Sequence, residues 1–287
     1  MIDFDLHVHT APTSTCAKQT VQQAVSTAYN AGIRILAICD HNKVDALNEA
    51  KTLCDKYGIK LIRGAEFSAA VEGVSPTVDG RIVHILGLGL SQDEKILNDE
   101  NQQWHALYVE RMHAMCQYLK KNNYGVADVD SLKELRIQLA EKKYFPNEDE
   151  AKDWLRSHIV PLFPSQTRTM KQAVDLIHNM GGKAILAHPN RCQHHLLNTI
   201  AETNMILDNL IAQGLDGIEV FHPDTLNEQG VVDNLLQIAE KHNLIVSLGS
   251  DRHKCDDSYG PHYFSAIDKM QRYTAEIEKA RTYWQKF

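Results

Sequence analysis

The stretch Arg34-Ile35-Leu36-Ala37-Ile38-Cys39-Asp40-His41 is a short apolar run that ends in a carboxylate and an imidazole. Runs of this kind predict buried strands. The same side chains lie in or just after predicted strands in three more blocks: Asp5-Leu6-His7-Val8-His9-Thr10, Ala187-His188-Pro189-Asn190-Arg191 and Ser250-Asp251-Arg252-His253. Parallel strands that end in such residues can assemble one metal cluster at one end of a barrel. The sequence therefore predicts a metal site built from distant segments.

Predicted strands alternate with predicted helices over most of the chain. The strands are expected near residues 2–7, 34–39, 59–65, 82–90, 183–187, 216–221 and 244–249. Amphipathic helices are expected between them, such as one that begins at the N-cap Thr20 and closes at Gly32. The order predicts a parallel sheet, and six or seven strands with polar ends favour a barrel over an open sheet.

The middle of the chain loses the two-residue period. From 93 to about 180 the spacing of large side chains such as Trp104, Leu107 and Met115 is helical, and Pro146 is expected to break a helix there. A barrel needs roughly 200 to 250 residues, so the 287 residues allow one barrel and an insertion. We predict a discontinuous barrel domain over 1–95 and 169–287 and a helical insertion domain over 96–168.

Composition excludes some partners. A net charge of −7 disfavours a broad basic surface for long duplex DNA. The six cysteines are scattered without a CxxC pair, which is typical of reduced thiols. No apolar stretch is long enough to span a membrane and the start has no signal-peptide pattern, so no membrane association and a cytoplasmic location are expected.

The first block carries its own geometry. His7 and His9 are two residues apart on a predicted strand, so both side chains point to the same face and can approach one cation. A single His-x-His also occurs by chance as two ordinary histidines. The metal interpretation gains weight because Glu66 follows the third predicted strand and His84 lies within the fourth.

Together these blocks resemble a known family. With Gly64-Ala65-Glu66-Phe67-Ser68 and His84, they are similar to the PHP (polymerase and histidinol phosphatase) phosphoesterases over about 1–92 and 170–260. The resemblance implies a distorted (β/α)7 barrel, TIM-like, with up to three metal ions. The helical insertion resembles the members that act on nucleotides and on the 5′ ends of short RNA.

The resemblance also implies a ligand set of eight side chains. It assigns His7, His9, Glu66 and Asp251 to one cation, Glu66 as a bridge with His84 and His188 to a second, and His41 and His253 to a third. A carboxylate can bridge two cations, whereas an imidazole offers one lone pair to one metal. Two or three divalent ions are expected, and this mixture of donors suits manganese, zinc or iron without choosing among them.

One position departs from the family. The nucleotide-acting members usually carry an aspartate where this chain has Ser14, and a serine is a poor cation ligand. The third metal ion is then expected to bind weakly, to bind only with substrate, or to have its coordination completed by phosphate, water or Cys16. A lone cysteine can also be an ordinary packing residue. Asp40 either coordinates a cation, orients a neighbouring imidazole or caps the following helix.

Substrate contacts are expected at the rim of the pocket. Arg191 could clamp a phosphate with its planar fork or form a surface salt bridge. His222 ends a predicted strand and could contact phosphate or supply a proton to the leaving group. His253 could supply that proton instead. Neighbouring strand residues point to opposite faces, so only one of Phe221 and His222 is expected to face inward. Arg111 resembles an arginine that the subgroup uses near its substrate, although it could be a solvated helix residue.

The sequence thus favours hydrolysis of a phosphate ester by metal-bound water or hydroxide. The expected substrate is a nucleoside monophosphate, a 3′,5′-bisphosphate or a short 5′-phosphorylated oligonucleotide, attacked in line without a protein nucleophile. The alternatives are a histidinol phosphate phosphatase, a metal-dependent amidohydrolase, and a non-catalytic PHP module stabilised by metals. No lysine ends a predicted strand, which disfavours the amidohydrolase.

Overall fold

The computed structural model describes residues 2–70, 82–163, 168–192, 195–196, 200–228, 230–254 and 270–287. Within these residues the strands are β1 Phe4–Val8, β2 Ile35–Ile38, β3 Lys60–Ala70, β4 Ile82–Leu88, β5 Lys183–Leu186, β6 Arg191–Cys192, β7 His195–Leu196, β8 Gly217–Phe221 and β9 Ile245–Leu248. The α-helices are α1 Val21–Asn30, α2 Leu47–Tyr57, α3 Lys95–Lys121, α4 Leu132–Glu141, α5 Glu148–Trp154, α6 Met170–Asn179, α7 Ile200–Ala212, α8 Pro223–Asn227, α9 Val231–His242 and α10 Thr274–Lys286.

Seven strands form one sheet in the order β1-β2-β3-β4-β5-β8-β9. The sheet is nearly closed, because the segment after β9 bonds to the end of β1: the His9 N–H donates to the Arg252 carbonyl at 2.9 Å and the Arg252 N–H donates to the His7 carbonyl at 3.4 Å. The prediction of a distorted seven-stranded barrel is therefore confirmed. Strands β6 and β7 pair separately as a two-stranded antiparallel ribbon.

The direction of β4 differs from the sequence prediction. The pairs β1-β2, β2-β3, β5-β8 and β8-β9 are parallel as expected, but β4 runs antiparallel to both β3 and β5. A parallel pair needs a crossover of about a dozen residues or more, usually a helix. Only eleven residues separate the end of β3 at Ala70 from the start of β4 at Ile82. The expectation of an all-parallel sheet was wrong at this strand.

Capping residues and glycines set the ends of several helices. Helix α1 starts at a capping box in which the hydroxyl of Thr20 accepts the Gln23 N–H, and the Gln23 side chain accepts the Thr20 N–H. Helix α2 ends at Gly58, whose φ of +66° is favourable for glycine. The segment between β8 and β9 contains two helices, α8 and α9, with a turn at Gly230, whose φ is +80°.

The chain divides into two compact units. Unit 1 comprises Met1–Glu72, Ile82–Leu97 and Arg168–Phe287, and unit 2 comprises Gly73–Arg81 and Asn98–Thr167. In unit 1 the sheet is covered by aliphatic side chains such as Val25, Leu36 and Ile177, which are fully buried. The domain boundaries predicted from the sequence stay a prediction, which limited proteolysis can test.

Unit 2 has a core of its own. Long helix α3 packs Met112, Met115 and Leu119 against Leu135 and Leu139 of α4, so the helical period seen in the sequence corresponds to a buried face. Pro146 lies between α4 and α5, outside both helices. In the part of the chain that the structure describes, no helix is both long and apolar enough to cross a bilayer.

Candidate metal centre

The eight side chains expected to bind metal lie together at one end of the sheet of unit 1. His7 is near the end of β1 and His9 follows it, His41 follows β2, Glu66 lies in β3, His84 lies in β4, His188 follows β5, and Asp251 and His253 follow β9. Their assignment as metal ligands stays a prediction, and their spatial proximity is an observation of the structure.

Glu66 is the centre of this cluster and is fully buried. Its two oxygens face five imidazole nitrogens: Oε1 lies 2.9 Å from His84 Nδ1, 3.1 Å from His188 Nε2 and 3.4 Å from His7 Nε2, and Oε2 lies 2.9 Å from His41 Nδ1 and 3.2 Å from His9 Nε2. One carboxylate is thus shared between two groups of histidines, as a bridging ligand requires.

Asp251 supplies a second acid from the far end of the sequence. Its Oδ1 lies 3.2 Å from His9 Nε2 and 3.5 Å from His7 Nε2. The backbone of Asp251 has φ +52° and that of His188 has φ +28°. Positive φ is uncommon outside glycine and is concentrated at functional sites, where the surrounding structure offsets its cost.

The spacing of the imidazoles fits coordination of a shared ion. The Nε2 atoms of His7 and His9 are 3.1 Å apart, and His84 Nδ1 lies 3.3 Å from His188 Nε2. Two nitrogens bound to one tetrahedral zinc ion at 2.0 to 2.1 Å are about 3.3 Å apart. These pairs therefore need little movement to bind one cation each.

The electrostatics of the cluster favour ionised acids. Burial alone would raise the pKa of Glu66, but the nearby His84 and His7 hold it well below its ordinary value. For His9, burial opposes protonation, yet hydrogen bonds to Asp251 and Glu66 raise its pKa to about 9. Protons on the histidines thus balance the buried acids, and a divalent cation would replace those protons.

The buried charge and the spacing of the ligand atoms are also suited to metal binding. Glu66 Oε2 is buried between His41 Nδ1 and His9 Nε2. A buried ionised carboxylate is costly unless protons on its neighbours or a bound cation offset its charge. Three groups bring their ligand atoms within 4.8 Å of one another: His7, His9 and Glu66; His41, Glu66 and His84; and His9, Cys16, His41 and His253. The residues present therefore fit divalent metal ions.

Glu219 is a buried acid of the site that the sequence analysis missed. It lies in β8, with Oε1 3.0 Å from His7 Nδ1 and Oε2 accepting the backbone N–H of His188 at 2.7 Å. Burial would raise its pKa, but His7 lowers it. An acid in the otherwise apolar strand Gly217-Ile218-Glu219-Val220-Phe221 is the signal that could have identified it.

Ser14 and Asp40 form hydrogen bonds next to the cluster. The hydroxyl oxygen of Ser14 accepts the His41 N–H at 3.0 Å and lies 3.2 Å from His9 Nδ1. Asp40 accepts the Thr10 N–H at 2.6 Å and the Thr10 hydroxyl at 2.7 Å. Asp40 does not cap α2, whose N-cap is Ala46. Both residues thus fix the loops that bear the histidines.

His222 is buried beside the cluster, with its ring centroid 5.6 Å from that of His188. Its Nδ1 accepts the Asp224 N–H at 3.1 Å at the start of α8, which assigns the ring proton of the neutral form to Nε2. Nε2 itself is buried and has no hydrogen-bond partner among the described residues. Phe221 packs instead against Tyr273. His222 is therefore the member of this pair that faces the site.

The two arginines are placed differently. Arg111 belongs to unit 2, where its Nε donates to the Phe163 carbonyl at 2.8 Å. The backbone of Arg191 forms part of β6, but its side chain lies outside the described residues. The predicted roles of both in substrate binding stay predictions.

Comparison with known proteins gives this geometry a family context. The model of the PHP domain matches residues 5–159, more than half of the chain. The chain is 26% identical over 261 residues to a 5′-3′ exoribonuclease of Haemophilus influenzae, covering 87% of this chain and 89% of that protein. It is 27% identical over 267 residues to the phosphoribosyl 1,2-cyclic phosphate 1,2-diphosphodiesterase of Eggerthella lenta, covering 87% and 93%.

The chain is also similar to a phosphatase and to a protein of known structure. The 3′,5′-nucleoside bisphosphate phosphatase of Chromobacterium violaceum is 26% identical over 268 residues, covering 88% of both chains. A Bifidobacterium adolescentis protein proposed to be a metal-dependent phosphoesterase has a similar structure, with a TM-score of 0.60, 24% identity and coverage of 87% of both chains. The last comparison supports the fold.

Proposed function

The chain belongs to the PHP domain family, and on that basis we propose that it hydrolyses a phosphate ester of a nucleotide or of a short 5′-phosphorylated oligonucleotide, with two or three divalent ions. The sequence-based predictions of the family and of a phosphoesterase are confirmed. The observation that carries the proposal is the buried Glu66 carboxylate between five imidazole nitrogens, which is a donor set for a multinuclear cation site.

The substrates of the relatives and the net charge of this chain both support the proposed substrate class. The named relatives act on RNA 5′ ends, a cyclic phosphate of ribose and a nucleoside bisphosphate, all of which are phosphate esters of ribose or its nucleosides. This chain has a net charge of −7, so attraction for phosphate has to arise locally, at the site itself. A small anion that inserts one phosphate into the cluster fits both conditions, and long duplex DNA does not.

The bound ions would offset phosphate charge and lower the pKa of a coordinated water. The protein supplies the positioning. Glu66 and Asp251 provide the negative charge that holds divalent ions, and Glu219 and Ser14 orient His7 and His9 through their Nδ1 atoms. We assign Arg191 and Arg111 to the substrate and His253 to the third ion, as the family resemblance suggests.

His222 is the best-placed side chain to contact the substrate directly. Its Nε2–H is buried and has no partner within the part of the chain that the structure describes, and burial lowers the pKa of His222 despite the attraction of Glu219. The ring is therefore neutral at neutral pH and suited to donate a hydrogen bond. We assign this donor to a phosphate oxygen or to the oxygen of the leaving group.

The proposal is tested by phosphate release. The purified protein, loaded in turn with manganese, zinc and iron, is assayed on a nucleoside monophosphate, a nucleoside 3′,5′-bisphosphate, a short 5′-phosphorylated RNA and histidinol phosphate. We expect turnover of at least one nucleotide substrate, and absence of release from all four would refute the proposal. Preference for histidinol phosphate would favour the alternative enzyme.

Glu66→Gln separates catalysis from a structural use of the metals. The substitution retains the size of the side chain but removes the charge that binds two cations. We expect loss of turnover by about a thousandfold or more with an unchanged circular dichroism spectrum. The control is Glu240→Gln, an exposed glutamate of α9. Full activity of Glu66→Gln would contradict the role given to this residue.

A further inference from the structure

Cys16 lies beside the three histidines on one side of the metal centre. One ligand atom each from Cys16, His9, His41 and His253 falls within a set whose members are all within 4.8 Å of one another. The ring of His9 lies 4.2 Å from that of His253 and 4.6 Å from that of His41, measured between centroids. Of the cysteines Cys16, Cys39, Cys54 and Cys116, only Cys16 is exposed.

We propose that the Cys16 sulfur, with His41 and His253, binds the third cation, and that this site prefers a soft or borderline ion such as zinc over manganese or magnesium. The thiol loses its proton to solvent when the cation binds, so the ligand is the thiolate. The inference rests on the proposed function only in so far as both use the same metal centre.

The first argument is that Ser14 cannot serve as the ligand. Its side chain is buried, and its hydroxyl oxygen is engaged with the His41 N–H at 3.0 Å and with His9 Nδ1 at 3.2 Å. A neutral hydroxyl is also a weak donor for a divalent ion. Another residue therefore has to add a donor to the histidines of this group, and among the described groups the sulfur of Cys16 does so.

A second, independent observation is the buried oxygen that faces this group. Glu66 Oε2 is buried and lies 2.9 Å from His41 Nδ1 and 3.2 Å from His9 Nε2. These imidazoles both belong to the group that contains Cys16. The buried negative charge of this oxygen therefore lies next to the group that contains Cys16, where it favours a bound cation.

The tautomers of the histidines permit this assignment. His253 Nδ1–H donates a hydrogen bond to the carbonyl oxygen of Asp251 at 2.8 Å, which leaves the Nε2 lone pair available. His9 directs Nε2 toward Glu66 and Asp251 and so belongs to the first cation. Three protein ligands then remain for the third cation: Cys16, His41 and His253. Three ligands and one open position are typical of catalytic zinc sites, where the open position takes substrate.

The mixed donor set determines which ion is selected. Thiolate favours zinc and other soft or borderline ions, whereas a carboxylate at the same place would favour manganese or magnesium. A third site that contains the sulfur of Cys16 therefore selects zinc over manganese or magnesium. We expect Cys16→Ser to weaken zinc binding at one site by about tenfold or more, since even residues behind the ligands change affinity by 10 to 100-fold.

The test is spectroscopic and does not depend on turnover. Metal-free protein is titrated with cobalt(II), which reports a bound thiolate through a charge-transfer band in the near ultraviolet. We expect the band in the wild type and in Cys54→Ala, whose buried cysteine lies at the end of α2, and its loss in Cys16→Ser. Peptide mass spectrometry should also show that zinc protects Cys16 from alkylation.

The outcomes separate this inference from the proposed function. A fully loaded wild type without the band, or an unchanged band in Cys16→Ser, overturns the role of Cys16. If the same protein still releases phosphate from nucleotides, the proposed function stands. If the band is present but no phosphate ester is hydrolysed, the metal inference stands and the function fails.

Discussion

Glu219 holds the ring of His7 in place: Oε1 of the acid lies 3.0 Å from Nδ1 of the imidazole, and both side chains are fully buried. The other nitrogen of His7 is thereby directed toward Glu66 and Asp251. Acids behind metal-binding histidines fix the tautomer and raise the basicity of the ligand. Glu219 is therefore expected to control metal affinity without contacting the metal.

Glu219→Gln tests that role. Glu219 accepts at both oxygens, from His7 and from the His188 N–H, and an amide can accept at only one. We expect metal affinity to fall about 10- to 100-fold, measured by competition with a chromogenic chelator, with activity restored at high metal concentration. An affinity equal to that of the exposed control Glu240→Gln would show that Glu219 has only a packing role.

Gly249→Ala should damage the site without altering a ligand. An added β-carbon at Gly249 would collide with Oε1 of Glu219 and with Cβ of His7. We expect a loss of metal binding at the first site and a fall in melting temperature, because one of these side chains has to move. Gly125→Ala is the control, since its added carbon would meet only the Tyr144 hydroxyl oxygen, at 3.3 Å. Equal metal binding in both variants would contradict the prediction.

His222→Asn separates substrate contact from helix capping. Asparagine is a good N-cap, so it can replace Nδ1 of His222 as acceptor for the Asp224 N–H, but it has no group at the position of Nε2. We expect kcat/KM to fall about 100-fold, as for loss of one oriented donor in an active site, with unchanged stability and metal content. Wild-type kinetics in this variant would remove His222 from the substrate site.

Asp216 gives a prediction for acid stability at a distance from the metals. Burial would raise the pKa of Asp216, but hydrogen bonds from Lys183, the Ala184 N–H and His178 outweigh this effect and lower it. A lowered pKa in the folded state means that the ionised acid stabilises the protein above the unfolded value of about 3.9. This stabilisation is lost as the pH falls through the folded value.

Asp216→Asn should therefore lower the free energy of unfolding at pH 7 by about 1 to 2 kcal/mol, the lower part of the range for charged hydrogen bonds. The Lys183 side chain is 39% exposed, which weakens its contribution. The difference from wild type should shrink below about pH 4. Urea denaturation of the metal-free proteins measures it, with the exposed Asp55→Asn as control. A difference that is constant with pH would contradict the assignment.

The strands and the residues at their ends could be predicted because both have local signals. Apolar runs near 34–39 and 244–249 correspond to β2 and β9, and the His-x-His spacing places two side chains on one face. The direction of β4 could not be predicted, since an apolar strand has the same pattern in either direction. Direction depends on the connection that precedes the strand.

Glu219 was missed for a different reason. Its partner His7 lies 212 residues away in the sequence, so no local spacing reveals the pair. The structure shows it because β8 and β1 belong to the same nearly closed sheet. Similarly, the hydrogen bonds of Ser14 with His9 and His41 explain why a serine can occupy a position where a ligand was expected.

The closure of the sheet between β1 and the segment after β9 affects how the protein matures. His7 and His9 leave the ribosome more than 240 residues before Asp251 and His253. A nascent chain therefore displays an incomplete set of donors, with affinity for any transition metal that it meets. Selective loading therefore requires that Asp251 and His253 have been synthesised, and expression in metal-limited medium followed by controlled reconstitution is a route to uniformly loaded protein.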